Sequence, residues 1–128
     1  MPSRERVEAF VAVVVSNAHV RAIADYYHED ASMQENGLEP RRGREVLMQH
    51  EARALARVQS VHTHPPRAVL VDGDRVAIHW IFDFLGKDGV TRRIEEVALQ
   101  RWDGDRIREE RFFYDTATAF SAVRPEGR

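Results

Sequence analysis

The spacing of hydrophobic residues changes once along the chain, and this change constrains the fold more than any other sequence feature. Before Pro65 and Pro66, hydrophobic residues recur every three to four positions, as in helices that bury one face. After these prolines, hydrophobic and polar residues alternate, which is the period of strands. Helices followed by a run of strands predict an α+β fold, with the helices packed on one face of the sheet.

Three helices are predicted in the first half. Ser3 is a suitable N-cap for the first, and Asn17 opens the second. The third covers residues 44–58, after a short strand at 30–35 and a loop at 37–43. The residues expected on the buried helix faces are, in chain order, Val7, Phe10, Val11, Val14, Val20, Ile23, Ala24, Tyr27, Val46, Leu47, His50, Ala54 and Val58.

Four strands are predicted in the second half, at residues 68–72, 75–84, 92–102 and 107–114. Asp-Gly pairs separate them, and Asp-Gly between alternating runs is typical of hairpin turns. The strands therefore form an antiparallel meander. A polar tail covers residues 121–128.

The turns predict which side chains share a face. With Gly89 in the left-handed position of a three-residue loop, Gly86 pairs with Val90 and Trp80 lies beside Glu96. A one-residue slip would put His79 in place of Trp80. A similar loop at 103–105 pairs Trp102 with Arg106. The face expected to pack against the helices carries Ile78, Trp80, Phe82, Phe84, Ile94, Glu96, Ala98, Gln100, Glu110, Phe112 and Tyr114.

The opposite face of the sheet also carries hydrophobic residues. Its members are His79, Ile81, Val97, Leu99, Arg111 and Phe113. An apolar patch on an open sheet face commonly marks a subunit interface. We therefore expect a homodimer through this outer face.

Composition excludes several classes of function. The 128 residues fit a single domain, here with a core at about 4–116. A net charge of −2 argues against nucleic acid or a membrane surface as the partner. The absence of cysteine excludes disulfides, thiolate nucleophiles and cysteine zinc sites. No apolar run is long enough to cross a membrane. Ala9–Val15 is a weak export signal because Glu5 and Glu8 precede it, so we expect a cytoplasmic protein.

The order of elements resembles the nuclear transport factor 2-like superfamily, and within it the SnoaL-like branch. The residues that carry the resemblance are Tyr27-His28-Glu29-Asp30-Ala31, Gly43-Arg44-Glu45, Asp72-Gly73-Asp74-Arg75 and Arg111-Phe112-Phe113-Tyr114-Asp115. It covers about Arg4 to Thr116. It implies a cone-shaped α+β barrel, with three N-terminal helices packed on a curved, mostly antiparallel sheet. Characterised relatives include polyketide cyclases, ketosteroid isomerase and limonene epoxide hydrolase.

The resemblance carries over one catalytic position. Residues 33–40 are similar to the segment that holds the carboxylate base of ketosteroid isomerase, and Glu35 falls on that base. The two residues of the isomerase's oxyanion hole correspond to Val11 and Ala98, which cannot donate a hydrogen bond. The last-strand aspartate of the cyclases and the epoxide hydrolase corresponds to Phe112. Asp115, three residues later, is out of phase with it.

Glu35 and Glu96 form the candidate acid–base pair. Apolar walls raise the pKa of a carboxyl by desolvation, and two carboxyls in one dry pocket raise it further. Such a pair leaves one acid and one base. The alternative is that an arginine or tyrosine satisfies Glu96 while Glu35 lies in solvent at the mouth. Tyr114 is expected to donate a hydrogen bond, either to a substrate carbonyl or to Glu96.

The remaining candidates are expected to bind the substrate. Trp80, Phe82 and Phe112 would form apolar walls, or simply core, and His50 would reach the pocket from its helix. The other expected lining residues are Val11, Ala98, Gln100 and Glu110. His62 and His64 lie on one side of an extended segment, but the sequence places no third ligand, so no metal site is expected.

These residues predict two alternative functions. The first is a cofactor-independent isomerase, cyclase or hydratase for a small hydrophobic carbonyl or cyclic compound, with Glu35 as base and Glu96 or Tyr114 assisting at the substrate oxygen. The second is a non-catalytic module that binds a small ligand, or supports assembly, on the same fold.

Overall fold

A computed structural model describes residues 1–123, in which three helices pack on the concave face of a strongly curved mixed sheet. This is the expected α+β cone. In chain order the elements are α1 (Arg4–Val15), α2 (His19–Tyr26), β1 (Tyr27–Glu35), β2 (Arg41–Arg42), α3 (Arg44–Ala56), β3 (Val58–Thr63), β4 (Ala68–Asp72), β5 (Arg75–Gly86), β6 (Thr91–Asp103), β7 (Arg106–Phe113) and β8 (Ser121–Ala122). No helix among the described residues is long and apolar enough to span a membrane.

The first helix begins as predicted, whereas the start of the second was placed wrongly. The Ser3 side chain accepts a hydrogen bond from the backbone N–H of Arg6 at 3.0 Å, which caps α1. Asn17 does not cap α2; its φ of 72° places it in the left-handed region that often follows a helix end. Tyr27 belongs to β1 rather than to the face of α2, and Tyr26 is buried in α2 instead.

The sheet follows the order β2-β1-β7-β6-β5-β3, with β4 also paired to β5 and β8 to β6. It is mixed, because β1 runs parallel to β7. Both β3 and β4 pair antiparallel with β5, one after the other along its length. Pro65 and Pro66 lie between them; proline lacks the N–H that a ladder needs and so interrupts pairing. The prolines therefore divide one sheet edge, and β3 precedes them, whereas the antiparallel meander was predicted only after them.

The predicted register is correct at one turn and wrong at the next. Trp80 pairs with Glu96, and Gly89 has a φ of 82°. At the second turn Trp102 pairs with Ile107, and a bulge between Arg101 and Trp102 shifts the register further. Ala98 consequently lies beside Phe112 instead of Glu110. Because the resulting shift from the predicted register is two residues, each side chain keeps its predicted face.

The two faces of the sheet differ in exposure as predicted, with one exception. On the concave face, Ile78 and Ala98 are fully buried. On the outer face, Val97, Leu99 and Phe113 are each about two-fifths exposed. Ile81 is the exception, because it lies on that outer face but is buried. The expected polar tail begins with β8, and residues 124–128 lie outside the described part of the chain.

Aromatic and aliphatic side chains join the helices to the sheet. Phe10 of α1 packs edge-on against Trp102 of β6, with ring centroids 6.0 Å apart. Leu47 of α3 is 1% exposed, whereas its neighbour Val46 is 48% exposed, although the helical pattern predicted both as buried. Phe10, Leu47 and Trp102 belong to one buried hydrophobic cluster. The inner side chains of β5, β6 and β7 line the space that remains.

Candidate active site

A cavity of about 550 Å³ lies between the helices and the concave face of the sheet. Seven of the predicted site residues line it: Glu35, His50, Trp80, Phe82, Glu96, Glu110 and Phe112. Trp80, Phe82 and Phe84 stand side by side on β5, with interplanar angles of 31° and 33° between neighbouring rings. These rings form a broad apolar wall.

Four predicted site residues do not line this cavity. Ala98 is fully buried beneath it, and Val11 packs against the core from α1. Gln100 is also fully buried and bonds to Glu110. Tyr114 lies just beyond the end of β7 and contacts the site through Glu35.

Glu35 is held as a carboxylate by two donors. Arg41 Nη1 donates to Oε2 at 2.9 Å, and the Tyr114 hydroxyl donates to Oε1 at 2.9 Å. Burial alone would raise the pKa of Glu35, but these hydrogen bonds, with smaller contributions from the charges of Arg41 and His50, lower it overall. Burial and the bond to Glu35 raise the pKa of Tyr114 to about 12, so its hydroxyl keeps its proton.

Glu96 is in the opposite environment. It is 9% exposed, and no hydrogen bond or ion pair among residues 1–123 involves its carboxyl group. Burial and the negative charges of Glu110, Glu35 and Glu51 raise the pKa of Glu96 to about 8. Glu96 is therefore mostly protonated at neutral pH. The alternative had an arginine or a tyrosine bonded to Glu96, whereas Arg41 and Tyr114 bond to Glu35.

Glu110 belongs to a buried chain of hydrogen bonds. The Tyr27 hydroxyl donates to one carboxyl oxygen, and Gln100 Nε2 donates to the other at 2.6 Å. Trp102 Nε1 donates to Gln100 Oε1 at 3.0 Å. Burial raises the pKa of Glu110 to about 7, although the bonds from Gln100 and Tyr27 lower it in part. This network fixes the floor of the cavity.

Several lining residues were missed by the sequence analysis. His19 is buried, lines the cavity and lies close to Glu51, which also lines it. Arg41 also lines the cavity. It reaches Glu35 because β2 pairs with β1 and sets Arg41 opposite Met33. Phe120 lines the cavity from the C-terminal segment and packs on Phe84, with centroids 5.9 Å apart.

The polar lining is carboxylates, arginines and histidines without a metal-binding arrangement. Among residues 1–123, no group of three or more His, Asp or Glu side chains could hold a metal ion. The cavity lining supplies hydrogen-bond donors and acceptors and titratable side chains, which are the groups that proton transfer uses.

The combination of helices, curved sheet and interior cavity defines a class of protein. The model of the SnoaL-like domain family matches residues 7–110, which is most of the chain, and the protein belongs to that family. No curated protein matches the sequence significantly.

Solved structures share the whole fold. A candidate SnoaL-like polyketide cyclase from Mesorhizobium loti is 25% identical, with a TM-score of 0.73, over 89% of this chain and 100% of that one. A protein of ketosteroid isomerase-like fold from Catenulispora acidiphila, in complex with trimethylamine, is 21% identical, with a TM-score of 0.74, over 91% and 90%. An LEH-like epoxide hydrolase from M. tuberculosis is 18% identical, with a TM-score of 0.73, over 91% of this chain and 84% of that one. The last two support the fold alone.

Proposed function

We propose that this protein is a cofactor-independent acid–base enzyme that acts on a small hydrophobic carbonyl or cyclic compound in the cone. The observation that carries the proposal is the contrast between two carboxyl groups in one cavity. Glu35 has a lowered pKa and Glu96 a raised one. Environments that separate the pKa values of two carboxyls assign one as base and the other as acid.

Glu96, whose pKa is raised, is the proposed acid. A neutral carboxyl donates one hydrogen bond, and Glu96 has no partner among residues 1–123 to receive it. A substrate oxygen in the cavity would be that partner. A hydrogen bond from Glu96 is needed because the two oxyanion-hole residues of ketosteroid isomerase correspond here to Val11 and Ala98. Neither side chain can donate a hydrogen bond to the substrate oxygen.

Glu35 is the proposed base. The bonds from Arg41 and Tyr114 keep it ionised and fix its orientation, and they also reduce its basicity. Each carboxylate oxygen has a second lone pair for a substrate proton. A weak base of this kind needs a substrate C–H that is already acidic, and a hydrogen bond from Glu96 to the neighbouring carbonyl supplies that acidity.

The proposed elementary step is enolisation. Glu35 takes a proton from the carbon next to the carbonyl, and the electrons of that C–H bond form a carbon–carbon double bond. The carbonyl π electrons move to the oxygen, which receives a proton from Glu96. Where a further carbon–carbon double bond is conjugated with the enol, return of the proton to the far carbon shifts that double bond and gives isomerisation. Attack of the enol carbon on a second carbonyl of the same molecule, whose π electrons move to its oxygen and take up a proton, gives cyclisation.

Hydrogen–deuterium exchange tests this step without the natural substrate. The C–H groups next to the carbonyl in cyclohexanone, 1-tetralone and 2-tetralone are followed by NMR in D2O. We expect the protein to accelerate exchange and Glu35→Gln to reduce the acceleration by about 100-fold or more. Glu39→Gln, an exposed glutamate on the next loop, is the matched control and should retain it. Absence of acceleration in the unmodified protein would contradict the proposal.

The second candidate is a non-catalytic module that binds a small hydrophobic ligand. The double hydrogen bonding of Glu35 favours it, because a carboxylate held by Arg41 and Tyr114 is a poor base. In that case Glu35→Gln changes neither exchange nor ligand affinity, whereas Phe112→Trp fills the cavity and weakens binding. Binding that persists in the filled cavity would contradict this candidate.

A further inference from the structure

A second polar pair lies in the cavity, on its helical side. His19 at the start of α2 and Glu51 on α3 both line the cavity, with His19 Nδ1 3.6 Å from Glu51 Oε1. This distance is longer than a hydrogen bond, so each group can still bond to a ligand. Among residues 1–123, the Glu51 carboxylate makes no hydrogen bond.

The other side of the His19 ring is fixed by the fold. Nε2 lies 2.8 Å from the hydroxyl oxygen of Thr63, which is 2% exposed. The backbone N–H of Thr63 donates to Asn17 Oδ1 at 3.0 Å, and Asn17 has a left-handed φ of 72°. The ring also packs edge-on against Phe82, with centroids 5.4 Å apart. The imidazole is therefore held with Nδ1 toward Glu51.

The Thr63–His19–Glu51 arrangement resembles a hydroxyl–imidazole–carboxylate triad, but it does not present a nucleophile. Thr63 is buried and does not line the cavity, so its hydroxyl orients the ring instead of attacking a substrate. In the tautomer in which Nε2 accepts a hydrogen bond from the Thr63 hydroxyl, Nδ1 carries the ring hydrogen on the side of Glu51. The pair thus offers a donor beside an acceptor.

We propose that His19 and Glu51 form a subsite for a hydroxyl group of the substrate. A hydroxyl both accepts a hydrogen bond, here from His19, and donates one, here to Glu51. Glu96 lies on the sheet wall and the His19–Glu51 pair on the helices, so the substrate carries two oxygens separated by an apolar body. This inference rests on the proposed function, because it places the carbonyl oxygen at Glu96.

A series of hydroxy ketones tests the subsite. The compounds run from 4-hydroxybutan-2-one to 8-hydroxyoctan-2-one, each compared with the 2-ketone of the same carbon number, and affinities are measured by calorimetry. At one chain length we expect the hydroxy ketone to bind about tenfold more tightly, as for a hydrogen bond to a charged group. This preference should disappear in His19→Phe and in Glu51→Leu.

Two further variants separate the possible outcomes. Glu45→Leu, an exposed glutamate on the same helix, is the matched control and should keep the preference. Glu96→Met should weaken all the ketones alike and leave the ratio unchanged. Suppose that Glu96→Met leaves the affinity for all the ketones unchanged, while Glu51→Leu lowers the affinity ratio of hydroxy ketone to ketone. The subsite is then supported and the proposed role of Glu96 is wrong. A series without any preference for hydroxyl, or a preference that survives Glu51→Leu, overturns the subsite.

Discussion

Replacing Glu96 by glutamine should change how the stability of the fold depends on pH. Glutamine has nearly the same shape as a protonated glutamate and cannot ionise. Glu96 is buried in the cavity wall without a compensating cation. The substitution therefore removes the cost of a buried negative charge and little else.

The magnitude follows from the two pKa values. The pKa of Glu96 is about 8 in the folded chain, against an ordinary value of 4.5. The folded state binds this proton more tightly, so the stability that the group contributes is fully present below pH 4.5 and is lost as the pH rises toward 8. At about 1.4 kcal/mol per pH unit, the loss between pH 5 and pH 7 is about 2 to 3 kcal/mol.

Urea unfolding at fixed protein concentration measures the effect, with the fluorescence of the buried Trp80 and Trp102 as the signal. The advantage of Glu96→Gln over the unmodified protein should grow by about 2 to 3 kcal/mol from pH 5 to pH 7. Glu35→Gln is the control of opposite sign. The folded-state pKa of Glu35 is lowered, so its stabilisation is lost as the pH falls below the ordinary value. Parallel pH curves for Glu96→Gln and the unmodified protein would refute the reasoning.

Three further predictions concern packing, the base and the outer face. Leu47→Ala should lower the free energy of unfolding by about 2–5 kcal/mol. Val46→Ala, on the exposed side of α3, should change it by less than about 0.5 kcal/mol. Equal effects of the two substitutions in urea titrations would contradict the assigned helix face. Tyr114→Phe removes one donor and should raise the pKa of Glu35, seen by carboxyl NMR; an unchanged value would remove Tyr114 from the site. Leu99→Lys puts a charge on the outer face that is expected to form the homodimer, and should yield monomers in sedimentation velocity. A dimer that persists in this variant would contradict an interface at that face.

The fold was predictable where the residues of a single turn determine how the two adjacent strands pair. The loop at Lys87-Asp88-Gly89 fixes the β5–β6 register through one left-handed glycine, and from that register the position of Glu96 beside Trp80 follows. The β6–β7 register was not predictable, because the bulge after Arg101 has no marker such as a glycine or proline at that position. Face assignments remained correct because they depend only on the parity of the register.

Other elements lack a readable pattern. In β3, Gln59, Ser60 and His62 are all exposed, so this edge strand shows no regular alternation of buried and exposed residues. The pattern of Val46 and Leu47 is equally ambiguous, since two adjacent apolar residues both fit a helical stripe but only one contacts the core.

The residues of the candidate site were predictable where only the face of a strand decides their position, since alternate residues of a strand face the same side of the sheet. Glu96 and Glu110 follow from the inward face of the sheet, and Glu35 from the family resemblance. The pairing of Arg41 with Glu35 depends on the short strand β2, and that of His19 with Thr63 joins residues far apart in sequence. Such contacts form only when the whole chain has folded into the cone, so the sequence does not predict them. The protonation states of Glu35 and Glu96 depend on these contacts and were therefore not predictable either. The two carboxyls of the acid–base pair were therefore predictable, whereas which of them has the raised pKa was not.

The protonation states of Glu35 and Glu96 are the central claim, and carbon-13 NMR titration of the glutamate carboxyl groups measures them directly. Signals are assigned with Glu35→Gln and Glu96→Gln. We predict that Glu35 titrates below the ordinary value of 4.5 and Glu96 at about 8. Glu35→Gln should also lower the pKa of Glu96, because the charge of Glu35 contributes to its rise. Two carboxyls that titrate together near the ordinary value would contradict the acid–base assignment.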